Sequence, residues 1–368
     1  MATYAKAGVD YRKIVPFKKI MKEVSQKTVS FPLSRDVLVT PAAHGARAEY
    51  RGTKHPHAWL IVQEGLGNKN WITAWMEQQG WHGNYFSVAI DNALTAVNDL
   101  IAHGAMPVIY TDMVEAGDSE WFEDKERADD LARGYHYVCE EVGMALGGGE
   151  SASLRYLVRA ESPVKSAPVL SGAVLGIFAP SSRYISGASI RPFDRIIGVT
   201  STGLHANGAS LVIALGLTLP DQFLTTLPNG NTLGEEALIP TRSYVALVEA
   251  LLDEAVEIHR IMPGTGGGVS KLATHPENVM YRIYDWPRVP LLFPFLKEQF
   301  GLSMRTCLTT FNWGVGYYLI VPPHEATRTI EIGIKAGYEL IEVGWIEESS
   351  KPHINFEPFG LALPPPGS

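Results

Sequence analysis

Three glycine-rich runs punctuate this chain: Gly65-Leu66-Gly67, Gly147-Gly148-Gly149 and Gly264-Thr265-Gly266-Gly267-Gly268. Each stands beside a stretch patterned like a strand or a helix. Glycine (35 residues) and proline (24) cluster at turns, which favours an α/β chain with loop-borne groups over a helical bundle. Residues 58–62 (AWLIV), 107–111 (PVIYT) and 169–178 (VLSGAVLGIF) read as strands, the first of them buried. Residues 91–103 and 125–142 read as helices, and Gly147-Gly148-Gly149 is expected to end a helical segment. The turn-rich segment 179–183 is the expected boundary between an N-terminal part, 1–180, and a C-terminal part, 181–368. The second part restarts with a strand at 195–200 (RIIGVT). Helices are expected from about Ala209 and over 242–256, and strands at 315–321 and 339–344.

At 368 residues, 46% hydrophobic and 19% charged, the chain can bury a core in each of two domains. A net charge of −8 argues against non-specific nucleic-acid binding, which needs basic surface to displace counterions. Two cysteines, Cys139 and Cys307, are too few for a disulfide framework or a thiolate zinc site. The N-terminus lacks the apolar stretch of a secretory signal, and the longest nearly apolar run, near 169–180, is too short and glycine-rich to cross a bilayer. A cytoplasmic protein with neither a membrane nor a nucleic-acid partner is expected.

Residues 91–101 carry the strongest functional pattern. On a helix of about 100° per residue, Asp91, Asn92, Thr95, Asn98 and Asp99 share a sector of roughly 120°, and apolar residues fill the rest. A solvated face would favour Lys, Glu, Gln and Arg. This one holds poor helix formers, and short carboxylates on a rigid helix suit Mg²⁺, which shares its oxygen ligands with phosphates.

The loops add anion-binding chemistry. In Glu64-Gly65-Leu66-Gly67-Asn68-Lys69 backbone amides can approach an anion, Glu64 can ligate a cation and Lys69 can meet a phosphate; a plain turn is the alternative. Gly147-Gly148-Gly149 is longer than a cap needs and places Glu150 on tightly held backbone. The run from Gly264 leads into an expected helix start, an arrangement that attracts negative charge. In Gly203-Leu204-His205-Ala206-Asn207-Gly208, His205 can serve as an acid, a base or an anion contact, or be merely solvated. No P-loop is present, and no Gly-x-Gly-x-x-Gly follows a strand.

Taken in order, these elements resemble the aminoimidazole ribonucleotide synthetase (phosphoribosylformylglycinamidine cyclo-ligase) family over nearly the whole chain. Tyr4-Ala5-Lys6-Ala7-Gly8-Val9-Asp10 is similar to the family's opening Tyr-x-x-Ala-Gly-Val-Asp. Glu64-Gly65-Leu66-Gly67-Asn68-Lys69 resembles Asp-Gly-Val-Gly-Thr-Lys, and Val97-Asn98-Asp99-Leu100 with Gly104-Ala105-Met106-Pro107 resembles Val-Asn-Asp-Leu…Gly-Ala-x-Pro. Gly148-Gly149-Glu150-Ser151, the His205 loop, Pro240-Thr241-Arg242, Thr265-Gly266-Gly267-Gly268 and Phe311-Asn312-Trp313-Gly314-Val315-Gly316 complete the series.

The resemblance implies a two-domain α/β (α+β) fold. Its N-terminal sheets pair into a barrel-like homodimer core that binds ATP and divalent metal, and its C-terminal domain is an α/β sandwich. It implies an ATP-consuming ligase of purine biosynthesis that cyclises formylglycinamidine ribonucleotide. ATP activates the formyl amide oxygen, an amidine nitrogen attacks the carbon, and phosphate leaves. By position, Glu64, Asp91, Asp99 and Glu150 are implied to hold Mg²⁺ and polyphosphate. Gly65, Gly67, Asn68, Lys69, Asn98, Gly148 and Gly149 are implied to contact the nucleotide. His205, Asn207, Gly208, Thr265, Gly266, Gly267 and Gly268 are implied to take the substrate phosphate or the reacting amide. Catalytic roles are expected of His205, Asp99 and Lys69.

Four departures bear on the substrate. The family's glycine-rich flap is reduced to Gly45 and Gly52 within 31–57, Glu64 replaces an aspartate, and Trp313 replaces a smaller residue. After Gly-Gly-Glu the chain reads Ser151-Ala152-Ser153-Leu154-Arg155-Tyr156 instead of Thr-Ala-Glu-Met-Pro-Gly. Two alternatives stay open: a paralogous ATP-dependent enzyme acting on another amide or phosphate acceptor, and a non-catalytic nucleotide-binding dimer.

Overall fold

Ile14, Phe17, Met21 and Val24 recur at helical spacing, and all four are buried. In the computed structural model they line one side of α1 (Tyr11–Thr28), where Phe17 meets the Trp121 and Phe122 rings edge-on, at 6.3 and 5.2 Å. The structure describes residues 11–41, 46–52, 56–264, 266–274 and 278–366. The motif at 4–10, Gly45 and Thr265 lie outside them. By contacts the chain forms two compact units: the residues up to Leu100 with Ala105–Ser182, and Ile101–Gly104 with the residues from Arg183 onward.

In the first unit α1 precedes an antiparallel pair, β1 (Val37–Pro41) and β2 (Ala46–Tyr50). Then come β3 (Ala58–Gly65), α2 (Lys69–Gln78), α3 (Asn84–Ile101), β4 (Met106–Ala116), α4 (Lys125–Val142), β5 (Ala145–Ser153) and β6 (Val169–Phe178). The last four strands form one sheet in the order β3-β6-β4-β5, parallel only between β4 and β5. Val37 and Val39 pack on Val108, Ile109 and Ile177, so the β1–β2 pair covers part of this sheet. Helix α4 has clear stops at both ends. The Asp124 side chain accepts from the Arg127 amide, and Gly143 closes the helix at φ 69°, a conformation glycine adopts without penalty.

The second unit contains β7 (Arg195–Thr200), α5 (Ala209–Gly216), α6 (Leu233–Ala237), α7 (Val245–Asp253), β8 (Arg260–Pro263) and β9 (Val279–Ile283). It continues with α8 (Leu292–Phe300), α9 (Met304–Thr310), β10 (Val315–Val321), α10 (Ala326–Lys335), β11 (Leu340–Glu348), β12 (His353–Phe356) and β13 (Leu361–Leu363). Its strands make one sheet in the order β13-β12-β9-β11-β7-β10-β8, antiparallel except between β9 and β12. Strand β10 is buried along its whole length, as its unbroken apolar run requires. No helix among the described residues is long and apolar enough to cross a membrane.

The expected strands at 169–178, 195–200 and 315–321 and the helix at 125–142 form to the residue. Five expectations are corrected. Strand β3 is not buried: it alternates, with Trp59 36% and Ile61 67% exposed, because the β1–β2 pair covers that face of the sheet only in part, near Ile177. Gly147-Gly148-Gly149 lies inside β5, and Gly143 is the glycine that ends the helix. Helix α3 starts at Asn84, ahead of Asp91, and α7 starts only at Val245. The run after Gly266 forms a short 3₁₀ segment, Gly268–Thr274, in place of an α-helix start.

Candidate functional site

Lys69 opens α2 directly after the Gly65–Asn68 loop. Its side chain is fully buried, and Nζ lies 2.7 Å from Oδ2 of the equally buried Asp91 on α3. Thr95 Oγ1 donates to the Asp91 carbonyl at 2.7 Å. Asn92 Nδ2 donates to the Tyr135 hydroxyl at 2.8 Å and to the Ser171 carbonyl at 3.2 Å. The polar face of α3 is therefore turned into protein. Asn98 is buried, and Asp99, near the helix end, is half-buried. Poor helix formers are tolerated here because α2, α4 and β6 provide partners for Asp91 and for the Asn92 amide nitrogen.

Glu64 is half-buried on β3, opposite Gly172 of β6. The loop beyond it turns at Gly67, φ 73°, with open space around that residue. On β5, Gly148 at φ 109° redirects the strand just before Glu150. Glu150 Oε1 accepts from Lys18 Nζ at 3.0 Å and from the Ser151 amide at 2.8 Å. Those two hydrogen bonds hold its carboxyl below the usual glutamate range, Lys18 having the larger effect.

Sequence reasoning missed two residues beside these. Lys18 comes from α1, whose apolar spacing was legible. Asp112 sits in the apolar run of β4, where a lone carboxylate is itself a signal. It is 4% exposed, and burial, reinforced by the charge of Glu150, pushes its carboxyl up to about 6. Its Oδ1 has no hydrogen-bond partner among the described residues. A Cβ on Gly149 would stand 2.3 Å from that oxygen, so close approach to Asp112 explains the glycine. Among the described residues no group of three or more His, Cys, Asp or Glu side chains gathers as a metal cage. Glu64, Asp91, Asp99 and Glu150 therefore do not form one by themselves.

In the second unit the loop between β7 and α5 is held from behind. Asn312 Oδ1 accepts from the Ser201 hydroxyl at 2.9 Å and from the Gly314 amide at 3.0 Å. Its Nδ2 donates to the Gly203 and Leu204 carbonyls at 2.8 and 3.3 Å. The Phe-Asn-Trp-Gly motif is thus the brace of the His205 loop. His205 itself is buried, at φ 59°, with its ring 6.4 Å from that of Tyr244. A side chain at Gly316 would strike both: its Cβ would lie 2.0 Å from the Tyr244 hydroxyl and 2.6 Å from His205 Cε1. Asn207 and Gly208 are half-buried. Gly266, Gly267 and Gly268 all take positive φ (74°, 95° and 58°); around Gly266 the space is open, and a Cβ at Gly268 would meet the Leu308 carbonyl at 2.5 Å. Trp313 is buried against Phe293, and its carbonyl accepts from Trp286 Nε1 at 2.8 Å, so this departure is a packing feature.

The family described as AIR synthase related protein, N-terminal domain, matches residues 69–178. The chain is 30% identical over 371 residues to the phosphoribosylformylglycinamidine cyclo-ligase of Thermococcus gammatolerans, an alignment that covers 99% of this chain and 100% of that protein. The chain belongs to the phosphoribosylformylglycinamidine cyclo-ligase family. As a cyclo-ligase family member it shares its fold with thiamine-monophosphate kinase from Stenotrophomonas maltophilia (TM-score 0.61, 15% identity, 90% of this chain and 95% of that one). It shares it also with the hydrogenase maturation protein HypE, solved in complex with ATP (TM-score 0.59, 15% identity, 94% and 92%). The 69–178 match spans the Lys69–Asp91 pair, the α3 face and Glu150, and begins after Glu64.

Proposed function

We propose that this chain catalyses the ATP-dependent cyclisation of formylglycinamidine ribonucleotide to aminoimidazole ribonucleotide, releasing ADP and phosphate. The observation that carries the reading is the end-to-end match to a cyclo-ligase, 30% identical over 371 residues. The chemistry asks for a phosphorylated amide oxygen as leaving group and an attacking amidine nitrogen, and so for positioning and charge neutralisation. The first unit supplies polar groups on rigid elements, and the nucleotide is assigned to Gly65, Gly67, Asn68, Lys69, Asn98, Gly148 and Gly149. The second unit supplies positive-φ backbone, and the ribonucleotide phosphate and reacting amide are assigned to His205, Asn207, Gly208 and the Gly266–Gly268 turn.

Mg²⁺ fits these residues as an ion shared with phosphate. It binds readily to one or two carboxylates with phosphate and water oxygens completing the shell, which matches a carboxylate set that forms no cage. Glu64, Asp99 and Glu150 would hold it, while Asp91 orients Lys69. Magnesium binding without nucleotide is then expected to be weak.

A homodimer through the open face of the first unit's sheet belongs to the same reading. Trp59 and Ile61 of β3 and Val169 of β6 are 36%, 67% and 45% exposed there, and β3 is an edge strand. Ile61→Asp is expected to yield a monomer by light scattering, and a wild-type monomer would refute the pairing.

Residues 151–156 favour a second reading, turnover of a different acceptor. Incubation with ATP, Mg²⁺ and formylglycinamidine ribonucleotide decides. ADP with imidazole product supports the cyclo-ligase, ATP turnover only with another amide or phosphate acceptor supports the second reading, and nucleotide binding without turnover rejects both.

A further inference from the structure

The turn after β5 is one of the places where the chain leaves the family pattern, and it walls a polar concavity in the first unit. The Leu154 amide donates to the Ala116 carbonyl at 2.7 Å, pinning the turn to the end of β4, and the Leu157 and Val158 amides close on the Leu154 carbonyl at 2.9 Å. Gly117 permits the approach: a Cβ there would stand 2.6 Å from the Val158 carbonyl. Between this turn, the segment leading to β6 and the start of α4 lies a cavity of about 620 Å³, the size of a small-molecule site. None of its lining residues belongs to the nucleotide or substrate groups assigned above.

Four cations line it, Arg127, Arg155, Arg159 and Lys165, with Asp118 and Glu120 as the only lining carboxylates. Arg127 is committed to Glu77, at 2.8 and 3.3 Å, and to the Trp121 carbonyl at 2.8 Å. Arg155 is committed to Asp118, with Nε at 3.0 Å. Glu120 lies 3.7 Å from Lys13. Both lining carboxylates thus have a cation beside them. Arg159 and Lys165 are exposed, and neither side chain forms a hydrogen bond or ion pair among the described residues. The cavity therefore presents two uncompensated positive charges beside an arginine already fixed in orientation. An arginine fork and a lysine point charge together suit a phosphate oxygen set. Two cations match a dianion, and with Asp118 and Glu120 already paired nothing in the lining offsets the surplus charge of a triphosphate. Val158, Ala160 and Ala167 with Ser166 leave room for a compact, partly apolar body.

We propose that this cavity binds a small phosphate monoester through Arg159 and Lys165, with Arg155 as a fixed wall. The inference is independent of the cyclo-ligase reading. The test is calorimetry on the full chain with ribose 5-phosphate, with ribose as the uncharged control. Saturable binding is expected in the wild type and in Asp99→Asn. Affinity should fall at least about tenfold in Arg159→Ala/Lys165→Ala, a variant whose exposed positions leave the fold intact. Ribose should give no heat. Absence of saturable heat with ribose 5-phosphate, equal affinity in the double variant, or loss of binding in Asp99→Asn instead would each overturn the proposal, the last by placing the anion at the nucleotide groups. AMP as a second probe separates the two sources of such a phosphate. Tighter binding of AMP that is lost in Arg159→Ala/Lys165→Ala identifies a nucleoside monophosphate, and equal or weaker binding a sugar phosphate.

Discussion

Two lysine–carboxylate pairs in the first unit have the same chemistry and opposite surroundings. Lys69 and Asp91 meet at 2.7 Å with both side chains wholly buried. Lys18 and Glu150 meet at 3.0 Å with side chains 42% and 58% exposed. A buried ion has given up its hydration and depends on its partner, whereas an exposed one exchanges its partner for water at a cost of about 1 kcal/mol or less. The contrast separates two kinds of acidic residue that look alike in a motif. Asp91 is bound into the architecture and sets the position of Lys69. Glu150 can exchange Lys18 for water, which leaves it available for the cation proposed to arrive with phosphate.

The sharpest way to break this distinction is Asp91→Asn, which strands a buried ammonium. Stability should fall by about 3–5 kcal/mol in denaturant titration. Replacing both partners, Lys69→Met with Asp91→Leu, should recover much of it. A loss below about 1 kcal/mol in the single variant would show that the pair is not what fixes α2 to α3. Next in size is Asp99→Asn. Asp99 is half-buried at the end of the same face, so the fold should keep its unfolding midpoint. ATP-dependent turnover should fall by about 10²–10³ if this carboxylate neutralises charge as the phosphoryl group moves. Turnover near the wild-type rate would detach the α3 face from the chemistry.

Why one residue of a motif is structural and its neighbour available was only partly legible. The wheel that groups Asp91, Asn92, Thr95, Asn98 and Asp99 shows a shared side of the helix but not what that side faces. Asn92 meets Tyr135 from α4 and Ser171 from β6, contacts far apart in sequence. Strands such as 169–178 and 315–321 were readable because a continuous apolar run bounded by turns admits little else. β3 misled because AWLIV is equally apolar whether its outer face meets core or lies open, as at Ile61. The glycines 147–149 look alike in sequence and do different work. Gly147 avoids the Ile109 side chain, Gly148 needs positive φ, and Gly149 makes room for Asp112. Helix α1 was within reach, since Ile14, Phe17, Met21 and Val24 keep the helical period, and with it the partner of Glu150.

Asp112 extends the comparison to a buried carboxyl that holds its proton to a higher pH than an exposed one does. Its folded value of about 6 lies above the ordinary 3.8, so the native state holds this proton more tightly than the unfolded chain does. The resulting stability is complete below about pH 4 and disappears as pH rises through about 6. Asp112→Asn imitates the protonated form at every pH. It should match the wild type near pH 4 and exceed it at pH 8 by up to about 3 kcal/mol in calorimetric unfolding. A difference independent of pH would show that burial is not what governs this group.

The smallest effect is expected at the exposed pair. Lys18→Ala should change stability by less than about 1 kcal/mol, because water and salt already screen both charges. It should also let the Glu150 carboxyl rise toward its ordinary range, since the Lys18 hydrogen bond is the main influence holding it down. In the reaction the removed ammonium no longer competes for the same oxygen. The Mg²⁺ concentration for half-maximal turnover at fixed ATP should therefore fall by roughly twofold to fivefold, the range that under 1 kcal/mol allows. If that concentration rises instead, Lys18 is assisting the polyphosphate rather than shielding Glu150, and the exposed pair would have to be counted among the groups that hold the nucleotide.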